Sequence, residues 1–239
     1  MTIHENVLRV QAAIEAACSR VHRDPAGVRL VAVSKTRPVT DVEAAAAAGV
    51  QHFGENRVEE SQIKIPAVAS PVSWHMIGHI QSRKAKAIPG LFQWVHSVDS
   101  VALAERLSRL AVEQGTTLDV LVQVNVSGEE TKGGLEAVGW EGQPAVREQV
   151  MQDMQRLVAL PGLHVQGLMT MAPIVDEMEQ ARPVFASLSA LRETLRQTLN
   201  VPLPELSMGM TDDYPVAIEE GATMLRIGRA IFGERPVEP

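Results

Sequence analysis

The chain alternates eight times between short apolar runs and longer helical stretches, and this alternation constrains its fold more than any other feature. Short runs rich in branched apolar residues predict strands. The run over residues 118–124 is apolar at almost every position, which is typical of a parallel strand covered on both faces. The predicted strands are Leu30–Lys35, His52–Glu55, Trp74–Gly78, Trp94–Val98, Leu118–Val126, His164–Met171, Glu205–Met208 and Met224–Ile227.

Helical periodicity marks the intervening stretches, and one further helix precedes the first strand. This pattern predicts an α/β protein, a single (β/α)8 TIM barrel with an extra N-terminal helix, in one domain over residues 1–239. An open doubly wound sheet is the alternative, because a count of strands cannot show closure. The predicted helices are Asn6–His22, Thr40–Ala48, Arg57–Val68, Gln81–Ile88, Ser100–Gln114, Gln143–Leu160, Val175–Leu199 and Asp212–Glu220.

Composition excludes several classes of protein. A net charge of -7 argues against a nucleic-acid partner, which would require a basic face. The single cysteine, Cys18, cannot form a disulfide framework within the chain. No run approaches the roughly 18 apolar residues of a membrane span, and residues 1–10 lack the apolar core of a secretory signal. We therefore expect a cytoplasmic protein without a membrane partner.

Lys35 ends the first predicted strand and is followed at once by a turn. Functional side chains of a barrel gather at the C-terminal ends of its strands. Partial burial there favours the neutral amine, which is able to attack an aldehyde. Lys35 is thus a candidate for holding a carbonyl compound, although a lysine at a strand end is also a common solvated loop residue.

A second candidate lies at the end of the last predicted strand. Side-chain alternation puts Arg226 and Gly228 on one face of this strand and Leu225 and Ile227 on the other. If Arg226 points into the barrel, Gly228 does too, and its missing side chain would let a phosphate reach backbone N–H groups. Arg226 is equally compatible with a structural ion pair.

The turn after the seventh predicted strand completes this anion site. Ser207 begins a short flexible turn, and Thr211 would cap the helix that follows it. Barrels often bind phosphate at the loops after strands 7 and 8. Lys35 would then lie on one wall with the phosphate cup across from it, as a phosphorylated aldehyde requires. A plain turn with a helix cap would have the same sequence.

Other patterns are less informative. The predicted strand ends carry no His/Asp/Glu cluster with metal-ligand spacing, so we expect no metal. His75 is expected to be a core histidine with a hydrogen-bonding partner. The glycine-rich stretch Ser127–Pro144 follows the fifth strand and is expected to form a mobile loop at the C-terminal face.

Six motifs in order give the chain a close resemblance to the pyridoxal phosphate homeostasis protein family, whose fold is that of the alanine racemase N-terminal barrel. They run over nearly the whole chain. The motifs are A-V-S-K-T (32–36), F-G-E-N-R-V-E-E (53–60), W-H-M-I-G-H-I-Q-S-R-K (74–84), G-L-M-T-M (167–171), L-S-M-G-M-T-D-D (206–213) and R-I-G-R-A-I-F-G (226–233).

The resemblance implies that Lys35 forms an internal aldimine with pyridoxal 5′-phosphate. It also implies that Ser207 and the backbone N–H groups around Gly228 and Arg229 hold the phosphate, and that Arg226 faces the pyridine nitrogen. The residues it assigns to cofactor binding are Lys35, Asn56, His79, Ser207, Thr211, Arg226, Gly228 and Arg229.

The resemblance further implies a role in vitamin B6 and amino-acid homeostasis. Alanine racemase carries a second domain that supplies a catalytic tyrosine, whereas Tyr214, the only tyrosine here, is predicted at a helix start. Racemisation needs an acid/base on each face of the cofactor. We therefore expect a monomeric, non-catalytic binder that could supply pyridoxal-phosphate-dependent apoenzymes. An amino-acid racemase and a Schiff-base aldolase acting on a phosphosugar are the alternatives.

Overall fold

A computed structural model describes residues 1–129 and 133–234 and contains a closed parallel barrel. Eight strands form the barrel, and the last of them pairs with the first, so no barrel edge is left open. This closure confirms the predicted TIM barrel over the open sheet. The strands are β1 (Arg29–Val33), β2 (His52–Glu55), β3 (Ser73–Met76), β4 (Trp94–Val98), β5 (Leu118–Asn125), the additional short β6 (Leu135–Glu136), β7 (Leu163–Met169), β8 (Glu205–Ser207) and β9 (Met224–Ile227).

Helices surround the barrel, and the predicted N-terminal helix is present. Thr2 caps it with its side chain in a reciprocal pair with Glu5. Within the described ranges, every helix is too short or too polar to cross a bilayer. The helices are α1 (Ile3–Arg20), α2 (Val39–Ala47), α3 (Val58–Ala67), α4 (Ile88–Leu91), α5 (Val101–Glu113), α6 (Pro144–Val158), α7 (Arg182–Leu199), α8 (Tyr214–Glu219) and α9 (Arg229–Phe232).

Two predicted helices differ from the structure. The stretch predicted over Gln81–Ile88 is a 3-10 segment, Ser82–Ala87, followed by the single turn α4. The long helix predicted from Val175 begins at Arg182, because Pro183 has no N–H group and fits an α-helix well in its first turn.

The glycine-rich stretch after β5 contains a strand that was not predicted. Two residues, Leu135 and Glu136, form β6 and pair in parallel with the end of β5. Gly134 precedes them with φ +131, and a Cβ there would lie 2.7 Å from the carbonyl oxygen of Gln123. Residues 130–132 of this stretch lie outside the described residues, and its predicted mobility stays a prediction.

The core consists of two layers. The first, which we call the shell, lies between strands and helices and is apolar; Phe53, Leu168 and Phe185 are fully buried in it. The second, which we call the interior, is enclosed by the strands. It combines the apolar cluster Leu121, Met169 and Met224 with buried polar side chains from four strands, namely His75, His96, Ser207 and Arg226. The interior ends at the C-terminal mouth of the barrel, where the candidate site lies.

Candidate functional site

Lys35 lies at the C-terminal mouth, two residues after the end of β1. It is half-buried and is followed by Thr36, whose φ of 63 places it in the left-handed region. Lys35 lines a cavity of about 380 Å³ together with Gly228, Arg229 and Phe232. The predicted lysine and the predicted anion cup therefore open into the same space.

The two candidates stand side by side rather than across the mouth. Barrel closure pairs β9 with β1, which brings Gly228 next to Val33. A Cβ at Gly228 would lie 3.4 Å from Cβ and from the carbonyl oxygen of Val33, so a larger side chain would narrow the cavity beside Lys35. The expectation of opposite walls was wrong, because closure of the barrel makes the first and last strands neighbours.

A buried ammonium group, not predicted as a site residue, holds the backbone on which Lys35 stands. Lys64 of α3 donates to the carbonyl oxygen of Ser34 at 2.8 Å, to Glu55 at 2.9 Å and to Glu60 at 2.7 Å. Glu60 also accepts from the N–H of Thr36 at 2.7 Å. Both neighbours of Lys35 are thus tied to one ion-paired network.

Glu55 is the most buried member of this network. It is fully buried and accepts from the hydroxyl of Ser34 at 2.7 Å as well as from Lys64. Burial raises the pKa of the Glu55 carboxyl, and the hydrogen bonds from Lys64 and Ser34 oppose that effect. The carboxylate therefore depends on Lys64 to remain charged.

Arg226 points into the interior, as side-chain alternation predicted, while Leu225 and Ile227 pack in the shell. Its guanidinium donates to the carbonyl and hydroxyl oxygens of Ser207 at 2.9 and 2.6 Å and to the carbonyl oxygen of Thr170 at 2.8 Å. Burial lowers the pKa of Arg226 to about 10, with Asp213 opposing that effect. The Arg226 guanidinium is still a cation at neutral pH, and the neutral oxygens of Ser207 and Thr170 hold it in place.

Ser207 and Thr211 occupy different levels of the site. Ser207 is fully buried, and its hydroxyl contacts Arg226 and His96, so it lies beneath the cavity. Thr211 is half-buried, and its hydroxyl accepts from the N–H of Ala230 at 3.4 Å, beside the backbone of Gly228. The predicted helix cap at Thr211 is wrong.

Helix α8 instead begins after Asp213. The Asp213 carboxylate accepts from the N–H of Met210 at 2.6 Å, and this bond closes the turn. Arg229 lines the cavity, and its side chain is paired with Asp212 and Glu234, so we expect its contribution to an anion site to come from its backbone.

Asn56 and His79 line a second, smaller cavity of about 160 Å³ at the mouth. Gly78 allows the two loops to meet, because a Cβ there would lie 2.3 Å from the carbonyl oxygen of Asn56. His79 is 73% exposed and lies 3.0 Å from Asp99 through Nδ1. These residues are near each other, as expected of loops that follow the adjacent strands β2 and β3.

Comparisons of sequence and of fold relate the chain to known proteins. The family model described as "Alanine racemase, N-terminal domain" matches residues 9–236. A "Pyridoxal phosphate homeostasis protein" of Pseudomonas aeruginosa is 46% identical over 235 residues, covering 98% of this chain and 96% of that protein. One of the same name from Aquifex aeolicus is 39% identical over 236 residues, covering 98% and 99%.

The chain belongs to the pyridoxal phosphate homeostasis protein family. Among solved structures, PipY of Synechococcus elongatus with pyridoxal phosphate bound has a TM-score of 0.78 and 36% identity, covering 92% of this chain and 100% of PipY. A protein of unknown function from Bifidobacterium adolescentis has a TM-score of 0.84 and 36% identity, covering 96% and 94%.

Alanine racemase shares the fold of this family at much lower identity. The enzyme from Clostridium difficile has a TM-score of 0.74 and 15% identity, and the match covers 98% of this chain but 61% of the enzyme. At this identity the likeness shows the barrel alone. The predicted family and fold are therefore confirmed, whereas the predicted site residues stay predictions.

Proposed function

We propose that this protein binds pyridoxal 5′-phosphate and takes part in intracellular vitamin B6 and amino-acid homeostasis without catalytic turnover. The observation that carries the proposal is the shared cavity of Lys35 and Gly228. It offers an amine for the aldehyde and open backbone for the phosphate of one small molecule. The names of the relatives and the cofactor in PipY support the same reading.

The chain's own groups fit this cofactor. Lys35 would hold it covalently as a Schiff base, the chemistry that the aldehyde supplies. Backbone N–H groups at Gly228 and Arg229, with the hydroxyl of Thr211, would bind the phosphate. Asn56 and His79 would border it at the mouth. Ser207, which the resemblance assigns to the phosphate, would instead act from beneath by fixing Arg226, because its fully buried hydroxyl contacts Arg226 and His96.

Arg226 would face the pyridine nitrogen. Three of its five N–H groups donate to Ser207 and Thr170, which leaves two for a ligand. An arginine donates a hydrogen bond but keeps its proton, so the ring nitrogen would stay largely unprotonated. A ring of this kind is a weak electron sink, which is compatible with racemase-type chemistry as well as with storage, so Arg226 does not decide between the two.

A racemase is the second candidate, because His79 and Asp99 form an acid/base pair at the mouth. Tyr214 does not favour it. This tyrosine packs in the shell, and burial raises the pKa of its hydroxyl, with Arg9 of α1 opposing that effect. Its position therefore supports a binder over a two-base racemase.

We propose further that residues 1–239 form a single domain, monomeric and cytoplasmic, which delivers its cofactor to pyridoxal-phosphate-dependent apoenzymes. The closed barrel supports the monomer, since its eight strands leave no edge open to a second copy and β6, which pairs with β5 alone, is only two residues long. Size-exclusion chromatography with light scattering would test the oligomeric state, and mixing the loaded protein with such an apoenzyme would test delivery.

The visible absorption spectrum tests the cofactor proposal. We expect the purified protein with pyridoxal phosphate to absorb at roughly 420 nm, as a Schiff base does. Lys35→Ala should lose this band but keep weaker binding through the phosphate cup. Lys86→Ala, at an exposed lysine, is the matched control and should keep the band.

Two results would contradict the proposal. A wild-type protein that stays colourless with added cofactor would contradict binding and favour the aldolase. Accumulation of D-alanine on long incubation of the loaded protein with L-alanine would contradict the absence of turnover and favour the racemase.

A further inference from the structure

A row of three histidines crosses the interior and ends at the proposed cofactor site. His52 Nδ1 lies 3.0 Å from His75 Nε2, His75 Nδ1 lies 2.8 Å from His96 Nε2, and His96 Nδ1 lies 2.9 Å from the hydroxyl of Ser207. His52 begins β2 and lines a cavity of about 570 Å³ at the N-terminal face. Ser207 ends β8 beneath Arg226. The row therefore joins the two ends of the barrel.

The imidazoles of this row are neutral. Burial lowers the pKa of His75 and His96 well below the usual value, and the cations Arg29 and Arg226 lower that of His96 further. His52 is half-buried, and burial lowers its pKa to about 4. A neutral imidazole has one donor and one acceptor nitrogen. The direction of one hydrogen bond in the row therefore fixes the direction of the next.

The row is not a metal site. Its nitrogen atoms meet in pairs along a line, whereas metal ligands converge on one point. No group of three or more metal-ligating side chains occurs in the part of the chain that the structure describes. Trp94 stacks on His75 with 5.6 Å between ring centroids, and Arg29 lies over Trp94. These contacts hold the rings in line.

Ser207 sets the direction of the row. Its hydroxyl oxygen already accepts from Arg226 at 2.6 Å. The oxygen is fully buried, and among the described residues the acceptor in reach of its proton is His96 Nδ1. If His96 donated instead, the hydroxyl proton would be buried without an acceptor, which is unfavourable. Ser207 therefore donates to His96, His96 Nε2–H to His75, and His75 Nε2–H to His52.

We infer that His96, His75 and His52 are positioning residues, which orient the hydroxyl of Ser207 and through it the guanidinium of Arg226. The direction of donation runs from Arg226 towards the N-terminal face, and aligned hydrogen bonds strengthen one another. The role in cofactor binding rests on the proposed function, because Arg226 must meet the cofactor. The direction of the hydrogen bonds in the row does not rest on the proposed function.

The direction is tested on the protein without cofactor. Two-bond ¹H–¹⁵N spectra of histidine-labelled protein distinguish the two neutral tautomers. We expect His52, His75 and His96 all to carry their proton on Nε2. A proton on Nδ1 of His96 would overturn the inference, whatever the protein binds.

The role is tested with a pair of variants at His96. His96→Asn keeps an oxygen near the position of Nδ1 that can accept from Ser207, whereas His96→Leu is closer to histidine in volume but has no acceptor. We expect His96→Leu to shift the Nε–H resonance of Arg226 and to weaken pyridoxal phosphate binding about tenfold, and His96→Asn to stay within about threefold of wild type. A packing role predicts the reverse order and would refute the positioning role.

Leu121→Ala is the control, because it opens the interior without removing a hydrogen bond. It should lower the melting temperature and leave the cofactor affinity within about twofold. If the wild type binds no pyridoxal phosphate, the proposed function fails, and the Arg226 resonance still decides the inference. If the wild type binds and both His96 variants bind equally well, the inference fails while the proposed function stands.

Discussion

The shell and the interior are both buried, but they use different interactions. The shell is apolar, with side chains such as Phe53, Leu168 and Phe185 that make no polar contact. The interior encloses His75, His96 and Arg226, each fully or nearly fully buried and each hydrogen-bonded. The shell stabilises the barrel in proportion to the apolar area removed from water, whereas the interior is stable only while its polar groups remain paired.

This difference separates the fold from the site. Shell residues can exchange for others of similar size, because apolar packing is not directional. Each polar residue of the interior depends on the identity of its neighbour, since a donor must face an acceptor. The interior and the mouth above it therefore carry the specific chemistry, and substitutions in the two layers should have distinguishable effects.

The largest expected effect on stability comes from the shell. Phe185→Ala in α7 removes a fully buried ring and should lower the free energy of unfolding by about 3–5 kcal/mol. Ile174→Ala, at a side chain that is 98% exposed, should change it by less than about 0.5 kcal/mol. Urea denaturation measures both, and a cost below about 1 kcal/mol at Phe185 would contradict the role given to the shell.

A smaller effect is expected at the mouth, where polar pairing replaces apolar packing. Lys64→Met leaves Glu55 buried without its cation and should cost about 3 kcal/mol. Lys84→Met is the matched control, because Lys84 pairs with the exposed Glu59 and should cost less than about 1 kcal/mol. Equal losses in the two variants would show that burial does not decide the strength of these pairs.

Sequence periodicity predicted the fold because each barrel strand and most helices repeat a local pattern. The exceptions are local too. The segment Ser82–Ala87 has helix-forming residues but adopts the tighter 3-10 hydrogen bonding instead of that of an α-helix, and the two residues of β6 are too few to show a period. The sequence predicted eight strands, but a count of strands cannot show that the barrel closes. The pairing of β1 with β9 shows that it does.

Positions at the mouth were predictable where a single residue type at a strand end gives the signal. Lys35 and Gly228 line one cavity there, as predicted, while their role in binding stays a prediction, and His75 is confirmed as a buried, hydrogen-bonded core histidine. Lys64 and His96 were not found, because their roles arise from contacts between elements. Lys64 reaches Ser34 across 30 positions of the chain and His96 reaches Ser207 across 111. For Lys64, the spacing from Glu60 was a visible signal.

The last prediction uses pH to compare the two layers. Burial lowers the pKa of His52 from 6.5 to about 4 and holds those of His75 and His96 well below 6.5, whereas the unfolded chain keeps ordinary values. Unfolding therefore takes up protons as the pH falls below about 6.5, and stability falls with it. Each histidine adds about 1.4 kcal/mol per pH unit to this slope, so the row adds up to about 4 kcal/mol per pH unit.

His52→Asn isolates this contribution. It keeps an acceptor for His75 but removes one titrating group, so its free energy of unfolding should fall less steeply below pH 6.5, by about 1.4 kcal/mol per pH unit. Glu55 and Asp213, whose pKa values burial raises, act in the opposite direction, but they are common to both proteins and cancel in the difference. Identical slopes for the two proteins between pH 5 and pH 6.5 would mean that His52 titrates normally in the folded state. The N-terminal end of the row would then be open to water rather than part of the buried interior.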